Sequence, residues 1–289
     1  MDRSQQSVMP AGKMLSPRDH NQVLPDFHYI YPVVSRRAGG VSIGVNLNLN
    51  NACNWRCVYC QVPGLQRGAP DAVDVAQLEQ ELAAMLDEAL HGSFMAEHVP
   101  EAMRRLSDIA IAGNGEPTLS PQFAEVVDAV LRQVDAFALR GKIRIVLITN
   151  GSMLHREPVQ AALRRMAAAG GEAWVKIDRG SLDAVRRVNQ VGQAPERARR
   201  QAELAAACCP TWVQTCMFCW DGQAPDENDV RDYLDLVGSI HGIRGVLLYG
   251  VARTPMLAEG SQVGTVDRAW LQTLAARLRD RGIDVQLYG

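Results

Sequence analysis

NLNLNNACNWRCVYCQVPG, residues 46–64, carries Cys53, Cys57 and Cys60 in the spacing C-x3-C-x2-C. An aromatic residue, Tyr59, precedes the third cysteine, and the group follows directly on a strand-like alternation over residues 42–49. Three thiolates on one short loop can bind three irons of a cubic 4Fe-4S cluster. No fourth cysteine at ligand spacing follows locally, so one iron would be left open to a small molecule that exchanges an electron with the cluster. The competing readings are a non-catalytic protein that uses the loop for structural zinc or redox sensing, and a loop that merely contains thiols. Zinc takes four N or S ligands in a closed site, or three plus water.

Outward from this loop the chain alternates between two hydrophobic periods. Strands are expected over residues 42–49, 108–112, 143–149, 173–178, 211–220, 244–250 and 283–288. Amphipathic helices are expected over 75–90, 123–138, 158–169, 195–207, 226–240 and 265–281, and 91–105 reads as an irregular insertion. Ser120-Pro121 is the expected start of the second helix, a cap followed by proline. Strand-helix alternation implies parallel strands joined by right-handed crossovers. The fold class is therefore α/β, a partial (β/α)6 barrel with helices outside, and its active site belongs at the C-terminal ends of the strands. Residues 1–25 read as a flexible polar tail and 26–289 as the barrel domain with an N-terminal extension. Within that extension DFHYIYPVVSRR, residues 26–37, is read as a cap on the barrel bottom. The alternative places it at the substrate mouth with Arg36 and Arg37.

Polar residues fall at one expected strand end after another. Gly113-Asn114-Gly115-Glu116-Pro117 ends the second strand; its glycines would let backbone approach a ligand, and Glu116 offers a carboxylate to a cation such as an α-ammonium group. The plain alternative is a turn before a helix. Asn150 ends the third strand in Thr-Asn-Gly, where it would contact a cofactor or make an ordinary turn. Lys176 and Asp178, two apart on the fourth strand, point the same way and would form either an acid/base pair or a structural salt bridge. Ser181-Leu182-Asp183 and Asn189 read as a loop facing the substrate. Gln214 on the fifth strand is a candidate cofactor contact. Cys216 and Cys219 lie three apart in the same expected strand, so they face opposite sides and are read as core or incidental thiols. Gly250, Val251 and Ala252 end the sixth strand with little bulk, enough room for an adenine ring, and Arg253 is a candidate for an anionic group.

The 289 residues suffice for one large core, and the net charge of −2 gives no global excess for nucleic acid. Seven cysteines suit a cluster plus free thiols better than a disulfide framework. No stretch reaches membrane-spanning length, and a reducing cytoplasm is the expected compartment.

ACNWRCVYCQV, GNGEPTLSP, WVKID followed by SLD, and LYGVARTP together resemble the radical SAM superfamily, in particular its wyosine-synthase-like members. The resemblance covers about residues 40–255. It implies a 4Fe-4S cluster on Cys53, Cys57 and Cys60, with S-adenosylmethionine chelating the open iron. It also implies reductive release of a 5′-deoxyadenosyl radical that abstracts hydrogen from a substrate, and an electron donor such as a flavodoxin or ferredoxin. Gly113 matches the first glycine of the family's GGEP-type motif and Asn114 departs from the second. Glu116 would take the methionine ammonium, Tyr59 would pack near the adenine, and residues 250–252 would supply adenine-binding backbone. Modification of a tRNA base is the alternative activity, and the charge balance does not favour an RNA partner.

Overall fold

A computed structural model describes residues 14–16, 27–35 and 38–288. Eight strands form one sheet in sequential order: β1 (Ile30–Ser35), β2 (Gly40–Val45), β3 (Leu106–Ile111), β4 (Arg144–Thr149), β5 (Glu172–Lys176), β6 (Thr211–Met217), β7 (Gly245–Gly250) and β8 (Val285–Tyr288). The strands from β2 to β8 pair in parallel, and β1 lies antiparallel on the β2 edge with Ile30 opposite Val45 and Ser35 opposite Gly40. Among the described residues β1 and β8 do not pair, so the sheet curls into a partial barrel.

The crossovers are α1 (Val75–His91), α2 (Phe123–Ala136), α3 (Glu157–Ala168), α4 (Leu182–Asn189) with α5 (Pro195–Ala206), α6 (Glu227–Gly238) and α7 (Arg268–Arg279). Helix α1 forms because Leu78, Leu82, Met85, Leu86 and Ala89 fall on one face, and because Asp74 caps it by accepting the Gln77 N–H at 3.0 Å. Asp226 and Asp267 cap α6 and α7 in the same way. The buried helix faces meet the outward side of the strands: Ile109, Ile145, Leu147, Val175, Val213, Val246 and Leu248 all join the main core. The inward side carries a smaller cluster, Ala110, Val146, Trp174 and Leu247 with Trp212 packed against them. These side chains fill the barrel below the strand ends, so the open space lies above them.

Four sequence expectations are corrected. Residues 30–35 do not cap the barrel bottom. They form the antiparallel edge strand β1, with Ile30, Pro32, Val33 and Val34 buried and the backbone paired with β2. Arg36 and Arg37 lie outside the described residues, as does most of the expected tail; of the latter, Leu15 is buried and donates its N–H to the His98 carbonyl at 2.8 Å. Residues 182–189 are helical, capped by the Ser181 hydroxyl accepting the Ala184 N–H and stopped by Gln190 in the left-handed conformation, φ 53°. The strand over 211–220 breaks at Phe218: Cys219–Trp220 pairs instead with Val263–Gly264, which separates Cys219 from Cys216. Finally, Ser120 does not cap α2. Glu116 caps a short 3-10 turn at Pro117–Leu119, and α2 starts afterwards.

Candidate active site

Above Trp174 and Trp212 lies a cavity of about 1130 Å³. Its lining includes the three loop cysteines, the exits of the parallel strands and, on the far side, residues of β1 and β8. Every cofactor-binding residue expected from the sequence except Pro117 faces it: Tyr59, Gly113, Asn114, Gly115, Glu116, Asn150, Gln214, Gly250, Val251 and Ala252. Pro117 is buried in the 3-10 turn beneath Glu116. Lys176 lines the cavity; Asp178 sits behind it.

The cysteine loop is held by asparagines. Asn46 leaves β2 and accepts the N–H groups of Asn48 and Asn114 at 3.0 and 3.1 Å. Asn48 donates to the Ala52 carbonyl at 2.8 Å, and Asn114 donates to Asn51 at 2.7 Å. Asn54 accepts from Asn150 at 2.8 Å and donates to Ser152 at 2.9 Å. A Cβ on Gly113 would strike the Asn46 side chain, and one on Gly115 would strike Asn48 and the Ala52 carbonyl. The two glycines thus admit the asparagines that seat the cysteine loop. The backbone approach expected for a ligand is made by the protein itself.

Glu116 joins the second and third strand ends. One oxygen accepts from the Thr118 N–H at 3.1 Å, the Thr118 hydroxyl and the Thr149 hydroxyl at 2.6 Å; the other accepts from the Asn150 N–H at 2.5 Å. Burial raises the carboxyl pKa against those donors. Asn150 is also committed: its side-chain oxygen accepts the Ser152 N–H at 3.0 Å while its amide holds Asn54.

Below Cys57 lies a second polar knot. Asp178 is 1% exposed and accepts from the Tyr59 hydroxyl, the Asn189 amide at 2.8 Å and the Cys216 N–H at 2.9 Å. Its expected partner, Lys176, instead places Nζ 4.9 Å from the centre of the Tyr59 ring. Burial works against the Lys176 charge, but Tyr249, Asp178 and Cys57 outweigh it and hold the pKa above its ordinary value. The Tyr59 ring packs with Val58, Val188, Cys216 and Phe218, its centroid 5.5 Å from that of Phe218. Arg179, unmarked in the sequence reading, is buried beside Phe218 and donates to the Asp178 carbonyl at 2.7 Å.

All seven cysteines are free thiols. Burial pushes Cys53 up to about 12 and Cys57 up to about 11, so these thiols need a cation to become thiolates near neutral pH. The Trp55 N–H points at Cys53 Sγ at 3.4 Å, and the Asn189 amide donates to Cys57 Sγ at 3.2 Å. Among the described residues no three His, Cys, Asp or Glu side chains stand close enough to share one metal ion. A mononuclear zinc site takes four N or S ligands, or three with water, drawn in by bonds of about 2.3 Å. A cubic cluster would take each thiolate on a different iron, and three soft sulfur donors lining one cavity fit that donor set.

Sequence reading missed Arg56, and it placed Asn189 in a substrate-facing loop rather than against Cys57 and Asp178. Arg56 Nη1 bonds Glu259 at 2.6 Å and Gln190 at 2.8 Å, and the Cys60 carbonyl accepts the Met256 N–H at 2.8 Å. The segment after β7 is thereby fastened across the cysteine loop. No helix among the described residues is long and apolar enough to cross a membrane.

Comparison with known proteins agrees with this geometry. A radical SAM methyltransferase from Sphaerobacter thermophilus superposes with a TM-score of 0.56 at 16% identity, over 90% of this chain and 68% of its own. SuiB from Streptococcus suis, bound to the precursor peptide SuiA, gives 0.56 at 13% identity, over 82% and 47%. A UPF0026 protein of Helicobacter pylori is 30% identical over 134 residues, 46% of this chain and 38% of that protein. The chain spans between a fifth and about half of the length of the curated relatives it matches. Residues 47–237, which run from the cysteine loop through the exit of β6 and nearly to the end of α6, match the model of the radical SAM superfamily, and the chain belongs to that superfamily.

Proposed function

We propose that this protein is a radical SAM enzyme whose Cys53, Cys57 and Cys60 hold a 4Fe-4S cluster and whose strand ends hold S-adenosylmethionine. The observation that carries the reading is the convergence of the three thiols and the polar strand ends on one cavity of about 1130 Å³. Together the two groups would supply one-electron cleavage of a C–S bond and a 5′-deoxyadenosyl radical for hydrogen abstraction.

The chain's own side chains do the rest. Glu116 has four donors on its two oxygens, three on one and one on the other, which leaves the second oxygen room for the methionine ammonium. A cation there offsets the burial that raises the carboxyl pKa. Gly250, Val251 and Ala252 offer a low-relief surface for the adenine, with Tyr59 on the opposite side of the apolar patch that Val251 joins. Lys176 presents its charge to the cavity, for a carboxylate or for a proton to be moved during the reaction. Asp178 is screened from the cavity and acts through Tyr59 and Asn189. An electron donor of the flavodoxin or ferredoxin class would serve the cluster, and the substrate binds between the cysteine loop and the β1 and β8 rim.

The test is anaerobic. The protein is reconstituted with iron and sulfide, reduced with dithionite and given S-adenosylmethionine, and 5′-deoxyadenosine is quantified by mass spectrometry. Slow release from the wild-type protein is the expected result. A protein with four irons and four sulfides that neither binds nor cleaves S-adenosylmethionine overturns the reading.

A further inference from the structure

We infer that Asn189 sets the electron affinity of the iron-sulfur cluster by donating a side-chain hydrogen bond to its Cys57 ligand, an inference that rests on the cluster reading above. One amide nitrogen makes two bonds: to Cys57 Sγ at 3.2 Å and to Asp178 Oδ2 at 2.8 Å. It carries two hydrogens, one for each acceptor. The amide cannot be turned over, because its oxygen would then face a sulfur and a carboxylate, both acceptors. Asp178 is itself fixed by the Tyr59 hydroxyl and the Cys216 N–H.

The backbone adds a clamp. Arg56 donates its N–H to the Asn189 carbonyl at 3.2 Å, and Val58 donates to the Val188 carbonyl at 2.9 Å. These two bonds flank Cys57, so the end of α4 and the ligand move together. Asn189 is 1% exposed, and a hydrogen bond in so dry a place is stronger than one in water.

Reduction of a cluster by one electron adds negative charge that spreads onto its sulfur ligands. A fixed donor to one of them favours the reduced state, and hydrogen bonds to the sulfurs are among the determinants of cluster potential. Asn189 acts on the cluster through Cys57 and touches neither substrate nor reacting atoms, so it is a positioning residue. The sequence position, 132 residues beyond Cys57, gives no sign of it.

The experiment compares cluster-loaded full-length wild type with Asn189→Leu, Asn189→Ser and a control, Asn54→Ala, which removes a polar contact of the same loop without touching a sulfur. Iron and sulfide are counted, and the potential is measured by redox titration followed by EPR. With clusters complete, both Asn189 variants should show a reduction equilibrium constant about threefold to tenfold lower, a potential about 30 to 60 mV more negative for a one-electron couple. Asn54→Ala should stay with the wild type. An unshifted potential in a fully loaded Asn189 variant, or the same shift in Asn54→Ala, overturns the inference. So does failure of both Asn189 variants to load a cluster that Asn54→Ala takes up, because Asn189 is then structural only. A wild-type protein that takes up no 4Fe-4S cluster strikes the underlying reading instead, and is seen before any variant is compared.

Discussion

The two walls of the cavity are built by different rules. One wall consists of the cysteine loop and the exits of β3, β4 and β5, where Asn46, Asn48, Asn54, Asn114, Asn150, Glu116 and Asp178 all hold one another or the backbone. The other consists of β1, β8 and the exit of β7. There Phe27, Val34, Leu287 and Tyr288 supply apolar area, and Arg253 and Arg268 supply charge. The first wall spends its polar groups on itself, which fixes geometry to a few tenths of an ångström and suits a cofactor that is the same in every turnover. On the second wall the exit of β7 would offer low relief to the adenine, while β1 and β8 line the cavity with side chains suited to recognition of whatever is modified. Activity on a particular substrate should therefore be decided at the β1 and β8 rim, and radical generation at the cysteine wall.

The largest effects belong to the cysteine wall. Replacing Cys53, Cys57 or Cys60 by Ala should abolish both cluster uptake and 5′-deoxyadenosine release, measured by iron and sulfide content beside mass spectrometry. A variant that keeps iron and cleavage would break the division between the walls. Next comes the seating of the loop. Gly115→Ala drives a Cβ against the Ala52 carbonyl and Asn48, and overpacking of this kind costs about 1–3 kcal/mol. Urea unfolding should report that loss, together with incomplete cluster loading. Full loading at unchanged stability would show that the asparagine lattice yields more than its hydrogen bonds suggest. Tyr59→Phe removes one donor from the buried Asp178 carboxylate, a change of about 1–3 kcal/mol in the same measurement.

Gly250→Ala tests the second wall. A Cβ there meets nothing closer than Leu271 at 3.6 Å, so the fold should be unchanged within about 0.5 kcal/mol. If adenine packs against this strand end, affinity for S-adenosylmethionine should still fall about threefold to tenfold, up to about 1.4 kcal/mol, by equilibrium dialysis. Unchanged affinity would move the adenine elsewhere in the cavity.

The contrast between the walls also explains what could be read from the chain. The cysteine wall was legible because its chemistry is local. C-x3-C-x2-C, GNGEP and TNG each declare a donor set within a few residues, and strand-helix alternation places them at one end of the barrel. What those residues bond to was not legible, since the partners are distant in sequence: Glu116 takes Thr149, and Asp178 takes Tyr59 across 119 positions. The glycines of GNGEP suggested ligand approach, and the object approached is the asparagine pair that leaves β2. Helix α4 was missed because it has eight residues, four of them charged or amide-bearing. A period of 3.6 needs a longer window to stand out. Of the rim, the strand β8 was expected, and the mouth alternative for residues 26–37 was offered; β1 as a strand was missed, because a run rich in β-branched residues fits a cap as well as an edge strand until its pairing with β2 is known.

The smallest expected effect sits where the two walls are tied together, at Arg56 and Glu259. Hydrogen bonds from Arg56 and then Gln190 hold the Glu259 carboxyl down to about 2, against an ordinary value of 4.5. The folded chain therefore keeps this carboxylate charged at pH values where the unfolded chain has already protonated it. The contribution of the latch is complete above about 4.5 and is lost as the pH falls toward about 2. Both side chains are partly exposed, so the effect on global stability is slight and a local probe is needed. The Met256 N–H, bonded to the Cys60 carbonyl at 2.8 Å, is such a probe, because it lies on the segment that Glu259 fastens. In the cluster-free chain, chosen because acid strips iron and sulfide, its protection against hydrogen exchange should drop across that window beyond the ordinary change in intrinsic rate. Glu259→Gln should show the weaker protection at every pH. Protection that follows the intrinsic rate alone in the wild type would mean that the segment is held by the backbone bond rather than by the ion pair, and the two walls would then be joined without any dependence on charge.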